Sequence, residues 1–80
     1  MARFFFHVRD GSGGLQDTEG RELATLTQVE AVGLAAVRDL LSSDLKTGII
    51  DLRPCLEVQD EAGAIVYGLP FNQAVRVITS

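Results

Sequence analysis

The residue with the greatest potential for acid–base chemistry is His7, the only histidine of the chain. A histidine that acts as a general base needs a carboxylate to orient it and a reacting group within hydrogen-bond reach. Asp10, Asp17 and Glu19 follow closely in sequence, so each of them is a candidate for that carboxylate. A strand histidine that bonds only solvent or a backbone carbonyl is the more common arrangement, and we favour it. We therefore predict no catalytic residue.

The other reactive groups lack the neighbours that their chemistry requires. Cys55 is the only cysteine, so the chain cannot form an internal disulfide, and with His7 it supplies too few ligands for a metal site. The acidic residues near "DGSGG" (10–14) do not fit a calcium loop, because glycines stand where ligands are needed. The same glycines precede no helix, which a phosphate-binding loop requires. We predict a turn there, and neither a metal nor a cofactor.

Composition and charge narrow the class of protein. The chain has 80 residues, 46% of them hydrophobic, and a formal net charge of −4, which favours a single small folded domain over residues 1–80. The seven basic residues are scattered, whereas a nucleic-acid-binding surface needs clustered cations. No apolar run approaches the ~20 residues of a membrane span, and no signal-peptide pattern opens the chain. We expect a cytoplasmic protein that contacts neither nucleic acid nor membrane.

The element that positions His7 is a strand predicted over residues 3–10. A period of two places Phe4 on one face of this strand, and Phe5 and His7 on the other. Glycines then end the strand, and a short irregular edge strand is predicted within residues 15–24. If a helix covers only the Phe4 face, Phe5 and His7 form an exposed aromatic strip. Such a strip is typical of a surface that contacts another protein.

A helix is predicted over residues 27–45. Thr27 with Glu30 matches a capping box. No proline interrupts the segment, and Gly48 follows it as a C-cap. These signals make the helix the clearest element of the chain.

The apolar arc of this helix is wider than one sheet can cover. It spans roughly 200°, whereas about 100° suffices for packing on a single sheet. One stripe would cover the sheet, and an adjoining stripe contains Leu34, Leu41 and Leu45. This second stripe needs another cover, which residues 49–54 or another subunit would supply.

Gly33 lies in the middle of the helix, where it costs about 1 kcal/mol relative to alanine. We expect close contact with a bulky strand residue, Phe4 or Phe6, to compensate for that cost. The expected core consists of Phe4, Phe6, Val8, Val29, Val32, Ala36, Leu40, Leu56, Val58, Ile65 and either Tyr67 or Val66.

The second half of the chain predicts a β-hairpin and an ambiguous tail. Residues 56–59 and 64–69 flank "DEAG" (60–63), whose first Asp and last Gly are typical of a type I turn with a bulge. Residues 71–80 are compatible with an extra strand, a helical turn or a frayed tail.

The order β-β-α-β-β predicts an α+β fold in which one helix packs on a four-stranded antiparallel sheet. The first strand is the most apolar and should be central. A right-handed connection through the helix then places the third strand beside the first. The expected strand order is 2-1-3-4.

Four stretches of the chain together resemble a known family: "ARFFFHVRDG", "DTEGREL", "AVGLAAVRDLLSSDL" and "LEVQDEAGAIVYGLPF". The family comprises small bacterial domains of unknown function, abundant in alphaproteobacteria such as rhizobia. Its members commonly begin with Pro-Arg-aromatic-aromatic-Phe-His, carry Asp-x-Glu-Gly before the helix, and end in an acidic-Gly hairpin followed by Pro-Phe. Ala2 replaces the usual proline here. The resemblance implies a fold and no activity.

These observations favour a non-catalytic protein-interaction or regulatory module. Small domains without a disulfide or a metal are often stabilised by a second subunit. We expect a homodimer, or a complex with another protein, formed through Phe5 and His7 or through Leu34, Leu41 and Leu45. Two alternatives stay open. One is a small-molecule or metal-binding enzyme centred on His7. The other is an antitoxin-like partner of a small toxin, by a looser similarity that rests on no shared motif.

Overall fold

The computed structural model describes residues 1–11 and 13–80, which form five strands and two helices. In chain order these are β1 (Ala2–Asp10), β2 (Gly13–Leu15), β3 (Arg21–Leu23), α1 (Leu26–Thr47), β4 (Cys55–Gln59), β5 (Ile65–Pro70) and α2 (Phe71–Ala74). The strands form one antiparallel sheet in the order β2-β1-β4-β5, and β3 also pairs with β1. The α+β fold is therefore confirmed. When the two short strands are counted as one, the order corresponds to the predicted 2-1-3-4.

The predicted edge strand within residues 15–24 is divided in two. β2 pairs with the C-terminal part of β1, where Arg9 lies opposite Gly14. β3 pairs with its N-terminal part, where Arg3 lies opposite Glu22. Between them, on this edge of β1, no described strand pairs with residues 5–7, which pair only with β4 on the other side. Ser12, inside the predicted glycine turn, lies outside the described residues.

The helix α1 begins two residues earlier than the capping pattern predicted. Thr25 is the N-cap, and its Oγ1 accepts a hydrogen bond from the Gln28 N–H at 3.1 Å. The Gln28 side chain in turn accepts one from the Ala24 N–H at 2.7 Å. The capping box predicted at Thr27 and Glu30 is therefore wrong, although the same capping chemistry operates two residues upstream, at Thr25 and Gln28.

The C-terminus of α1 follows the prediction. Gly48 adopts φ +84°, and its N–H donates to the Leu45 carbonyl at 3.0 Å. Such a left-handed residue suits glycine, because glycine has no Cβ to clash with the backbone. Lys46 in the last turn adds a favourable charge at the negative end of the helix dipole.

Gly33 makes the predicted close approach to the sheet, but with different partners. A Cβ atom at this position would lie 2.9 Å from Leu56 Cδ2 and 3.2 Å from Tyr67 Cε2. The expectation of Phe4 or Phe6 is wrong, because α1 lies over β4 and β5 rather than over β1.

The core follows a single line of helix residues spaced by four. Val29, Gly33, Val37 and Leu41 are the buried residues of α1, so this line runs between the two predicted stripes. The strands and α2 complete the core with Phe4, Leu23, Leu56, Val58, Leu69, Phe71 and Ala74.

Two members of the expected core are exposed instead. Leu40 lies outside the line of buried helix residues. Ile65 lies at an irregular pairing, because the register of β4 and β5 shifts at Val58 and Gln59. No helix in the described part of the chain combines the length and the apolarity that a membrane crossing requires.

The C-terminal hairpin forms as predicted. Gly63 has φ +85°, its N–H donates to the Asp60 carbonyl at 3.0 Å, and the Asp60 carboxylate accepts from Ala62 and Ala64. These bonds close the turn, and the register shift next to it is the bulge that the turn type implies.

The tail begins with one helical turn, α2, and residues 75–80 have no regular secondary structure. Phe71 and Ala74 are buried, and the Phe71 N–H donates to the Pro54 carbonyl at 3.0 Å. The Arg38 Nε donates to the Ala74 carbonyl at 2.8 Å. These contacts fix the start of the tail beside α1.

Candidate functional site

His7 lies in the middle of β1 on the face turned away from α1, and only 2% of its surface is exposed. Residues 16–20, which we call the Asp17 loop, fold back over the His7 side chain. The Asp17 N–H donates to His7 Nδ1 at 3.0 Å, and the Phe5 ring is parallel to the imidazole with 6.5 Å between centroids. The predicted exposed aromatic strip is therefore wrong for His7, because the connection between β2 and β3 covers it. Phe5 is half-buried.

The Asp17 carboxylate accepts hydrogen bonds from main-chain N–H groups at the gap between β2 and β3, where no strand pairs with this edge of β1. Its Oδ2 accepts from the Phe6 N–H at 3.0 Å, in the place of the missing strand carbonyl. Its Oδ1 accepts from the Glu19 and Gly20 N–H groups, both at 3.1 Å. Asp17 thus contacts His7 through its amide, while its carboxylate holds backbone groups. The arrangement differs from a base oriented by a carboxylate.

Gly20 closes the Asp17 loop against β1. It has φ +75°, and a Cβ there would lie 2.8 Å from Arg3 Cγ and 2.9 Å from Phe5 Cε1, so a larger residue does not fit. The Arg3 guanidinium donates to the Glu19 carbonyl at 2.7 Å and pairs with Glu22 at 3.2 Å. The Asp-x-Glu-Gly stretch therefore packs against the Arg-aromatic-aromatic-Phe-His stretch of β1.

The pKa of the Asp17 carboxyl reflects these contacts. Burial is the largest single influence and acts to raise that pKa. The N–H donors of Phe6, Gly20 and Glu19 act to lower it, and the net result is a pKa below the ordinary value of 3.8. An ionised Asp17 accepts hydrogen bonds and has no proton to donate at neutral pH.

The stability that Asp17 contributes is expected to fall in acid. Because its pKa in the folded state lies below the unfolded value of 3.8, the contribution is present above that pH and is lost as the pH falls through the folded pKa. The difference in urea midpoint between the wild type and Asp17→Asn should therefore shrink as the pH is lowered from about 5 to about 2. His7 and the other acids are common to both proteins. A difference that stays constant or grows in acid would contradict this assignment.

The remaining candidates around His7 are not assembled into a reactive group. Glu57 lies opposite His7 in β4, but its carboxylate pairs with the Arg9 Nε at 3.2 Å. Sequence reasoning missed Glu57, because only the strand register reveals it. The half-buried Cys55 directs its thiol to the Leu56 carbonyl at 3.4 Å. Within residues 1–11 and 13–80, no three His, Cys, Asp or Glu side chains are grouped as a metal site.

A polar notch of about 490 Å³ lies where β1 ends, and Asp10, Gly11, Asp51 and Arg53 line it. The guanidinium of Arg53 forms two bonds of 2.9 Å to the Asp51 carboxylate. This pairing lowers the pKa of Asp51 to about 2. Because the two charges neutralise each other, the notch has no excess charge from this pair to attract an ion.

An apolar groove of about 400 Å³ lies at the C-terminal end of α1. We call it the end groove, and it is lined by Arg38, Leu41, Ser42, Leu45, Ile50, Leu52, Val75, Arg76 and Val77. Of the predicted helix stripe, Leu41 is buried at this groove, Leu34 is half-buried, and Leu45 on the rim is 64% exposed. The second stripe is therefore covered only in part from within the chain.

Two residues that neighbour the lining of the end groove in sequence are also large, apolar and exposed. Ile49 and Ile78 adjoin it in sequence and are 73% and 78% exposed. With Leu45, Ile50 and Val77 they form what we call the end patch, five large aliphatic side chains of which each exposes at least 46% of its surface. Sequence reasoning missed the contribution of the tail, although the β-branched residues of 75–79 were a visible signal.

Comparisons with known proteins identify a family and no characterised relative. A family model described as "Domain of unknown function (DUF6894)" matches residues 3–72. The match agrees with the resemblance to a family of unknown function. No curated protein and no solved structure matches the chain.

Proposed function

The chain belongs to DUF6894, a family of domains of unknown function, and we propose on that premise that it is a non-catalytic interaction module that forms a homodimer. The end patch carries this proposal. Its five side chains expose on the order of 500 Å², close to the upper limit of ~600 Å² for the largest apolar patch of a monomer. A stable interface takes ~800 Å² from each partner. Burial of all five side chains against one partner would supply more than half of that area.

The shape of this surface favours a second copy as the partner. The end groove is a hollow, and the exposed Ile49 and Ile78 neighbour its lining residues Ile50 and Val77 in sequence. A two-fold interface places the same surface of both copies face to face, so that projecting side chains of one copy can fill the hollow of the other. The Arg38 Nε is bonded to the Ala74 carbonyl, and six of the nine residues that line the end groove are aliphatic.

The surroundings of His7 support a non-catalytic role over an enzyme centred on that residue. The imidazole is buried, and the lone pair of Nδ1 accepts the Asp17 amide proton. A general base needs such a lone pair to be directed at a substrate. Neither the end groove nor the polar notch has His7 in its lining.

We expect Leu45→Glu to dissociate the dimer. The substitution places a carboxylate at the rim of the end groove, where dimerisation would bury it without a partner. Sedimentation equilibrium should show the wild-type chain at twice its monomer mass at micromolar concentration. The dissociation constant of the variant should rise by about 100-fold or more.

Leu26→Glu is the matched control. Leu26 is exposed to 54% and opens α1, about 28 Å from Leu45 at ~1.5 Å per helical residue. This variant should dimerise as the wild type does. A wild-type chain that stays monomeric at 100 µM, or equal losses in the two variants, would refute the proposal.

A further inference from the structure

We infer that the tail of each copy, residues 75–80, adds as a strand to the outer edge of β5 in the second copy. This inference rests on the proposed homodimer and specifies how the two copies engage. It follows from two segments that have no strand partner in the described part of one chain. One is the outer edge of β5, which can accept an added strand, and the other is the tail, which can supply one.

The acceptor is the outer edge of β5. β5 is the last strand in the order β2-β1-β4-β5, and no described strand pairs with its far side. Free edges are normally blocked by charged residues, by bulges or by covering segments. In β5 the bulge lies at the Ile65 end and the proline is the last residue, and the strand "IVYGLP" has no charged residue, in a chain with a net charge of −4. A second acidic copy can therefore approach here without like charges meeting.

The opposite edge of the sheet is formed by two strands of only three residues each. β2 and β3 cover the two ends of β1, and the Asp17 carboxylate takes the Phe6 N–H between them. Such short strands offer little edge for a further strand, so addition is expected on the β5 side. In a two-fold dimer each copy gives its tail to the other and receives one in return, which uses both surfaces and ends the assembly at two copies.

Gly68 is the centre of the open edge. The Phe71 N–H bonds the Pro54 carbonyl, so Phe71 directs its N–H toward the chain of β4. Hydrogen-bonded positions alternate along an antiparallel pair. Gly68 lies three residues before Phe71, an odd spacing, and therefore directs its own N–H and C=O away from β4. Pro70, two residues after Gly68, also faces away from β4, so its lack of an N–H removes no hydrogen bond to that strand. Gly68 is exposed, and a glycine within a strand often marks the close approach of another backbone.

The donor is the tail itself. The segment "VRVITS" contains two valines, an isoleucine and a threonine, which are the β-branched residues enriched in strands. It nevertheless has no regular secondary structure, and residues 76–80 are exposed. A segment with strand composition and no strand partner gains main-chain hydrogen bonds by joining a free edge.

A second copy is the acceptor because α2 fixes the start of the tail beside α1, and the described residues of the tail form no strand on their own β5. Phe71 and Ala74 are buried, and the Arg38 Nε holds the Ala74 carbonyl beside α1. Val75 and Val77 then line the end groove. The tail therefore starts at the proposed dimer interface, where it can continue onto the second copy.

The test compares Gly68→Pro with Gly68→Ala by sedimentation equilibrium. Proline removes the outward N–H without removing a bond to β4, whereas the alanine Cβ would lie 3.9 Å from its nearest neighbour, the Leu56 carbonyl oxygen. Gly68→Pro should raise the dimer dissociation constant by about 10-fold or more, and Gly68→Ala should stay within about 3-fold of the wild type. Circular dichroism confirms folding, and Ile65→Lys, which charges the same edge, replaces the proline variant if that variant unfolds.

Residue-resolved amide exchange by NMR provides the second readout. The amide of Gly68 and those of alternate tail residues, either 76 and 78 or 77 and 79, should exchange at least about 10-fold more slowly in the dimer than in the dilute monomer. A dimer in which these amides exchange freely, with equal affinities for the two Gly68 variants, overturns this inference and leaves the proposed function standing. A chain that never dimerises overturns both.

Discussion

Replacing Asp17 with alanine is expected to lower the free energy of unfolding by about 3 kcal/mol. The substitution leaves three N–H groups without their acceptor, those of Phe6, Glu19 and Gly20. A hydrogen bond to a charged group contributes ~1.5–3 kcal/mol, and an exposed bond contributes less. The Phe6 and Gly20 bonds are partly buried, and they account for most of the expected loss.

Urea denaturation followed by circular dichroism measures this loss. Asp39→Ala is the matched control, because Asp39 is an exposed aspartate on α1, where the same substitution should change stability by less than about 0.5 kcal/mol. If Asp17→Ala were as stable as the control, the carboxylate would not be replacing a strand at the gap in the sheet.

The fold was predictable because its signals are local. The alternation that begins at Phe4, the apolar period of residues 27–45 and the turn from Asp60 to Gly63 each depend on a few neighbouring residues. Two hairpins that flank one helix leave few ways to build an antiparallel sheet. The strand order followed from these constraints without any knowledge of side-chain contacts.

The start of α1 shows how two local signals compete. The sequence has Thr-x-x-Gln from Thr25 and Thr-x-x-Glu from Thr27, and both are capping patterns. The structure uses the first, in which Gln28 also reaches back to the Ala24 N–H. A search that weighed glutamine equally with glutamate would have found both candidates.

The burial of His7 was not predictable from the same signals. Alternation correctly places the side chain on the face away from α1, but exposure depends on what covers that face. The cover is the Asp17 loop, held by Gly20 in a left-handed conformation against Arg3 and Phe5. "DTEG" indicated a turn, and nothing local indicated that the turn would return across the sheet.

The end groove depends on contacts between distant parts of the chain. Leu41 and Leu45 come from the helix, Ile50 and Leu52 from the segment after it, and Val77 from the tail. Sequence reasoning found the helix stripe and the need for a second cover. It did not find that the tail supplies part of that cover, because a buried Phe71 determines where the tail lies.

Replacing Phe71 with alanine is expected to be the most damaging single change, at about 3–5 kcal/mol, the usual cost of truncating a buried phenylalanine. Phe71 is 4% exposed, and its backbone N–H joins α2 to the Pro54 carbonyl. An 80-residue domain has ~4–12 kcal/mol of stability, so the variant should be close to its unfolding midpoint without denaturant. Urea denaturation in a Leu45→Glu background measures the loss while keeping dimerisation out of the transition.

Phe71→Leu separates the loss of volume from the loss of the aromatic ring. Leucine fills most of the same space and should cost about 1.5 kcal/mol or less. Val77→Ala serves as the exposed control, since Val77 lies six residues further along at 68% exposure and should change stability by about 0.5 kcal/mol or less.

The amides of residues 75–78 should shift their NMR signals in Phe71→Ala and keep them in Phe71→Leu, because only the alanine variant releases the tail from α1. Equal stability of Phe71→Ala and Val77→Ala would show that α2 does not anchor the tail.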